Sequence, residues 1–183
     1  MTKSSSRASC IHFVFINYIR YIATEHPNVT YKNPKYISGN MTSLRYGRNS
    51  PIYYVGINMT TLFWLDNNLT LDFYFYEYLT NVYKRGFIEM HLKFCDFIHK
   101  DKFFGQQMRQ GNLSKPCPYP PGEYHLYNMS INPEAIPRNF PFIKGRIYCN
   151  VTYKKTDLVV SGYIDMEVKE FRLKRPKEKK SLV

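Results

Sequence analysis

The sequence predicts an all-β fold, an antiparallel sandwich of two sheets. Three observations point there. Apolar residues recur at every second position in several separate stretches, the signature of strands with one buried face. Those stretches are divided by Asn, Asp, Gly and Pro, the residues that turns require. The aromatic residues are 17 Tyr and 13 Phe against one Trp, and rings of this kind suit half-buried pleated surfaces. The 183 residues suit one domain with a sizeable core. No internal repeat is present.

Residues 1–27 read either as a degenerate signal peptide or as an N-terminal extension carrying a first strand. Lys3 and Arg7 precede the apolar run Cys10 to Ile19, and Ala23 stands near a cleavage point, but His12 and Asn17 interrupt the run. That run is too short to span a bilayer. The domain proper is placed at 28–171. Residues 28–50 are polar and have room for at most one edge strand.

From Ile52 to Leu65 the odd positions Val55, Ile57, Met59, Phe63 and Leu65 are apolar. Asp66-Asn67-Asn68 is turn chemistry, and Leu69, Leu71, Phe73 and Phe75 alternate with polar neighbours on the return. This pair of segments reads as an antiparallel hairpin. Ile88, Met90, Leu92 and Phe94 then alternate with Glu89, His91 and Lys93. A strand runs from Gly122 through Ile131, followed by a link marked by Pro133, Pro137 and Pro141. The last hairpin places Ile143, Gly145, Ile147, Cys149, Val151 and Tyr153 on one face. It turns at Lys154-Lys155-Thr156-Asp157 and returns with Val160, Gly162, Ile164, Met166 and Val168 inward. Residues 172–183 are expected to form a basic, disordered tail.

Between the strands at Phe94 and Tyr124 lies a short amphipathic piece with Phe97, Ile98, Phe103, Phe104 and Met108, flanked by Cys95 and Cys117. We read Cys95–Cys117 as a disulfide that clamps one strand's end to the next strand's start. Cys149 then stands on an inward face as a buried thiol, or as the partner of a cysteine elsewhere; spacing does not fix connectivity.

The net charge of +12 suits nucleic acid, an anionic surface or simple solubility. The asparagines argue for the secretory pathway. Asn-x-Ser/Thr sequons occur at Asn28, Asn40, Asn58, Asn68, Asn112, Asn128 and Asn150, where chance would supply roughly one or two. Asn58 and Asn150 fall on the outward parity of strands assigned only from their apolar residues. A secreted glycoprotein is the expectation, with no nucleic acid as partner and no integral membrane segment.

Catalytic patterns are lacking. His12, His26, His91, His99 and His125 stand outside any zinc-hydrolase, dinucleotide or nucleophile-elbow context, and no cofactor or metal is expected. His91 and Cys95 form a metal or thiol–imidazole pair only if Cys95 is free. The protein is expected not to be an enzyme.

Four stretches, in order, carry a family resemblance: Phe94-Cys95-Asp96-Phe97-Ile98, Asn112 to Tyr119 (NLSKPCPY), Gly122-Glu123-Tyr124 with Asn128, and Ile136-Pro137. Over roughly Ile52 to Phe171 the chain resembles the insect branch of the myeloid-differentiation-factor-related lipid-recognition (ML) proteins. This is a fly domain of unknown function related to the chemosensory CheA and CheB proteins and to ganglioside-activator-like proteins. The resemblance implies an immunoglobulin-like sandwich with a hydrophobic cavity between its sheets, the Cys95–Cys117 disulfide, and a non-catalytic role in binding lipid or pheromone-like ligands in chemosensation. The upstream cysteine of many members is missing, which leaves the partner of Cys149 and the N-terminal segment open.

Two sheets normally fill their roughly 10 Å gap with interdigitated side chains. A packed core and a lined cavity need the same apolar parity. If the sheets splay, the wall falls to Met59, Phe63, Phe73, Phe75, Met90, Leu92, Ile147, Val151, Ile164 and Met166. Each methylene buried there contributes about 0.8 kcal/mol. Lys84, Arg85, Lys144 and Arg146 are either rim cations for an anionic head group or a solvated face. The leading expectation is a secreted carrier or co-receptor for a small apolar ligand (lipid, hydrocarbon or pheromone), acting with a membrane receptor. The alternatives are a secreted protein–protein module with a solid core, and a nucleic-acid-binding barrel that uses exposed aromatics.

Overall fold

The computed structural model describes residues 18–48, 50, 52–131 and 142–172. Cys10, His12, most of the proline-marked link and the tail beyond 172 lie outside the described residues.

Eight strands form two antiparallel sheets. They are β1 (Tyr18–Lys32), β2 (Ile37–Leu44), β3 (Tyr54–Thr61), β4 (Leu69–Leu79), β5 (Val82–Lys93), β6 (Gly122–Met129), β7 (Lys144–Tyr153) and β8 (Asp157–Arg172). Helix α1 (Phe94–Lys100), the single turn α2 (Gly105–Met108) and a 3-10 turn (Gly111–Ser114) lie between β5 and β6. The larger sheet has the order β1-β8-β7-β4-β5 and the smaller β2-β3-β6. Counted back from the C-terminal end, four strands of the larger sheet and all three of the smaller take the order of an immunoglobulin constant domain. Strand β1 is the addition.

Alternation decides which face each strand buries. Leu69, Leu71, Phe73 and Phe75 of β4 are buried while Thr70, Asp72, Tyr74 and Tyr76 between and beyond them are half-exposed. Opposite them on β7 stand Val151, Cys149 and Ile147, paired with Leu71, Phe73 and Phe75. The β7–β8 hairpin forms as expected, turning through Lys154 and Lys155 at positive φ. The β4–β5 hairpin turns through Thr80 and Asn81, also at positive φ, the geometry of a tight two-residue connection.

Two expectations need correction. The segments Ile52–Leu65 and Leu69–Tyr76 do not pair as a hairpin: β3 joins β2 and β6, whereas β4 joins β5 and β7. Their apolar faces meet across the core, not side by side in one sheet, and alternation is the same in either arrangement. The polar stretch 28–50 supplies its edge strand as β2, but β1 also runs into it as far as Lys32. Strand β1 therefore crosses the boundary drawn at residue 27, with Ile22 and Ala23 buried and Ile22 registered against Val168.

Candidate functional site

The two sheets differ in width, and that difference makes the site. Three strands cannot cover five. On the β1 side the edges of the two sheets are drawn together: the Ser43 hydroxyl donates to the Thr24 carbonyl at 3.3 Å, and Lys32 Nζ donates to the Gly39 carbonyl at 2.6 Å. On the β5 side no strand is opposite, and α1 and α2 roof the sheet instead.

Beneath this roof is a cavity of about 320 Å³, near the lower end of the range for small-ligand sites. Leu71 and Phe73 of β4, Ile147, Cys149 and Val151 of β7, and Ile164 of β8 form its floor. Ile37 and Met41 of β2 with Val55, Ile57 and Met59 of β3 form the opposite side. Phe97 of α1 and Phe103, Phe104 and Met108 around α2 close the flank.

Small residues keep the space open. Cys149 and Gly162, both slight and both on the cavity wall, are direct cross-strand partners and leave a dent in the floor. A Cβ on Gly162 would come within 2.6 Å of the Asn28 carbonyl oxygen, so the close approach of β1 keeps that position bare. Gly39 does the same on the facing sheet.

The flank is held by Asp101. One of its carboxylate oxygens accepts the backbone N–H groups of Phe103, Phe104 and Gly105 at 3.0, 2.6 and 2.8 Å. These bonds aim Phe104 at Phe73, with ring centroids 6.0 Å apart and nearly parallel planes. Gly105 is required there because any Cβ would meet the Phe97 carbonyl oxygen at 1.8 Å.

The clamp lies beside this flank. Cys95 and Cys117 are joined by a disulfide with a Cα–Cα distance of 5.9 Å. The backbone of Leu65 pairs with that of Tyr119 by two hydrogen bonds, at 2.9 and 3.0 Å. The Tyr119 hydroxyl donates to the Leu113 carbonyl at 3.1 Å and meets His99 Nε2 at 2.8 Å, so the buried ring has both its polar contacts satisfied.

Of the ten wall positions expected from sequence, Met59, Phe63, Phe73, Ile147, Val151 and Ile164 border the cavity. Phe75, Met90, Leu92 and Met166 do not. Phe75 and Met166 are buried further along the core, Phe75 stacked on Phe142 at 6.2 Å. Met90 and Leu92 stand on the edge strand β5, where a helix covers the sheet and packs down on it. Alternation assigns a residue to a face; it does not say what lies opposite.

The basic residues considered as a rim are elsewhere too. Arg146 lies on the outer face of the larger sheet, bonded to Asp165 at 2.6 and 3.1 Å and set over the rings of Tyr163 (3.8 Å) and Tyr83 (4.2 Å). Arg85 lies over Tyr74 and pairs with Glu89, Lys144 lies over Tyr78, and Lys84 is exposed opposite Glu77. None borders the cavity; the cation on its wall is Lys32.

Sequence reasoning passed over Ile37 and Met41 because they lie in a polar-looking edge segment, while Val55 and Ile57 shared the inward parity of Met59 and Phe63 without being assigned to the wall. It noted Phe97, Phe103, Phe104 and Met108 as amphipathic without placing them. Cys149 has no disulfide partner among the described residues. Its side chain is half-exposed, yet to the cavity and not to bulk water, and burial pushes the thiol pKa up to about 12.

The described histidines are dispersed. His91 contacts Asp72 at 2.6 Å and Glu89 at 3.5 Å, and His125 contacts Asn58 at 3.0 Å. Hydrogen bonds donated by the protonated ring to Asp72, and then to Glu89, raise the His91 pKa above its usual 6.5. Among the described residues no group of three His, Cys, Asp or Glu side chains is placed to hold a metal ion. No helix among them is long and apolar enough to cross a membrane. The sequon residues Asn28, Asn40, Asn68, Asn112 and Asn128 are exposed, while Asn58 and Asn150 are half-buried. The Asn150 side-chain oxygen accepts from Ser161.

Residues 68–146 match the model of a family described as a protein of unknown function (DUF1091). That span begins at β4 and ends within β7, so it takes in the clamp and the helical flank but not β1, β2 or β3. None of the curated proteins matches the chain.

Proposed function

We propose that this protein is a non-catalytic binding protein that holds an apolar, lipid-like or pheromone-like ligand between its sheets. The observation that carries the reading is the cavity of about 320 Å³ bordered mainly by Leu, Ile, Val, Met and Phe side chains. A solid core would favour a surface-acting module; an open one favours a ligand. Methionine and phenylalanine suit this task, because thioethers adapt their shape and rings supply contact area. The disulfide and the sequons, five of them on exposed asparagines, favour secretion into an oxidising compartment. Kinship with the ML proteins, and with it a chemosensory role in insects alongside a membrane receptor, is part of the same proposal, as the match to DUF1091 is compatible with that branch.

The test is displacement of a fluorescent fatty acid from protein secreted by insect cells, paired with native mass spectrometry of the same sample. Saturable displacement by lipids, or a co-purified apolar molecule, supports the reading. A protein that binds no probe and carries no ligand is a surface-acting module instead.

A further inference from the structure

The cavity reaches the surface along one margin. Of the residues that line it, only Lys32, Ser38 and Asn40 are exposed, and all three lie on the seam where β1 meets β2. Lys32 breaks the apolar pattern there. Its cross-strand partner is Val160, which borders the same space, so the lysine stands on the inward face of β1. It is also the only charged side chain on the lining, which holds no Asp, Glu, Arg or His. Lysine tolerates such a place only by lying along the apolar wall and keeping its head at the water's edge. Its Nζ donates to the Gly39 carbonyl at 2.6 Å, which uses one of the three protons an ammonium carries. Among the described residues no carboxylate pairs with it, whereas Lys100 pairs with Asp96 and Lys169 with Glu25.

We propose that Lys32 is the head-group site of the cavity, its ammonium holding the carboxylate of an aliphatic acid whose chain runs inward between the sheets. The protons left over from the Gly39 bond are free to meet carboxylate oxygens, and such charge-assisted bonds are the stronger kind. Water at the open margin hydrates the rest of the head group, so the anion is not stripped bare on binding. The orientation follows from the lining: with one cation on the wall, the acid sits at the seam and the tail points toward Phe73 and Phe104. This inference rests on the cavity being a ligand site.

The experiment displaces an uncharged fluorescent probe, N-phenyl-1-naphthylamine, with ionised dodecanoic acid and with its methyl ester, in the wild type, Lys32→Gln and Lys32→Arg. Glutamine can still donate to Gly39, so that variant removes the charge and spares the seam. Comparing acid with ester within each protein cancels the tail's own gain on leaving water. The acid-to-ester affinity ratio should fall about tenfold in Lys32→Gln, as loss of a charge-assisted hydrogen bond implies. Lys32→Arg should keep most of the wild-type ratio. In the wild type the ratio should also fall as salt is raised, since a pair at the open margin is screened. A ratio unchanged in Lys32→Gln, or flat against salt in the wild type, overturns the assignment and leaves Lys32 as a link between sheet edges. A co-purified ligand without an acidic group overturns it too. If neither compound displaces the probe from the wild type, the ligand-site reading itself fails, a result distinct from an unchanged ratio.

Discussion

Two parts of one core, built from the same kinds of residue, end differently: the part beneath the disulfide is filled and the part between the sheets is hollow. Ile98, Leu113, Tyr119 and Leu126 at the clamp are 0–1% exposed. There a helix, a 3-10 turn, a bridge and a strand converge from several directions, and each can adjust until no gap is left. Between the sheets only two surfaces meet, held at a spacing set by their backbones. Where Cys149 faces Gly162 and Gly39 lies across from them, the side chains are too short to reach. Greasy composition makes an interior; the number of converging elements decides whether it is solid.

That contrast is open to direct attack. The largest difference should come from truncation: Ile98→Ala at the filled end should cost about 4 kcal/mol, and Ile164→Ala on the cavity wall about 2 kcal/mol, because its side chain has fewer partners to lose. Urea unfolding measures both, and equal costs would remove the distinction. Next, replacing both Cys95 and Cys117 by serine should cost about 3 kcal/mol, since the bridge closes a loop of sequence separation 22. Thermal unfolding with and without reductant reads the same effect in the wild type.

The outer face of the larger sheet offers a third comparison. Asp165→Asn strips the half-buried Arg146 of its charged partner and should cost about 2 kcal/mol, yet leave probe binding alone. Cys149→Phe should do the reverse, changing stability by less than about 1 kcal/mol while displacing the ligand, because the ring enters space that is already empty. Loss of folding in that variant would mean that the dent cannot accept a ring.

The smallest effect is the pH response of His91. Its folded pKa is raised by Asp72 and Glu89, so its contribution to stability is complete below about 6.5 and is lost as pH rises through the raised value. The group is about half exposed, so screening keeps the effect slight. An NMR titration of His91 with its midpoint at or below 6.5 would contradict the pairing.

Much of this was legible in advance, and the misses share one cause. Leu69 to Phe75, Ile147 to Val151 and Ile164 to Val168 reveal their buried face by alternation alone, and Cys95–Cys117 closes as read. The hairpin drawn from Ile52 to Tyr76 failed because strands that pair and strands that face each other across a core show the same period. Met90 and Leu92 were placed on the wall for the same reason: nothing in β5 announces that a helix lies over it. The hollow did leave a trace, in Cys149 and Gly162 at matching inward positions of one hairpin.

The sequence by itself determined that the chain is sheet and which face of most strands is greasy, for these follow from local period and turn chemistry. Only the tertiary structure decided which strands share a sheet, that five lie against three, and that a space remains with Lys32 on its wall. Those depend on pairings between residues more than a hundred positions apart, such as Lys32 with Val160, and on the fixed distance between two backbones that no single strand encodes.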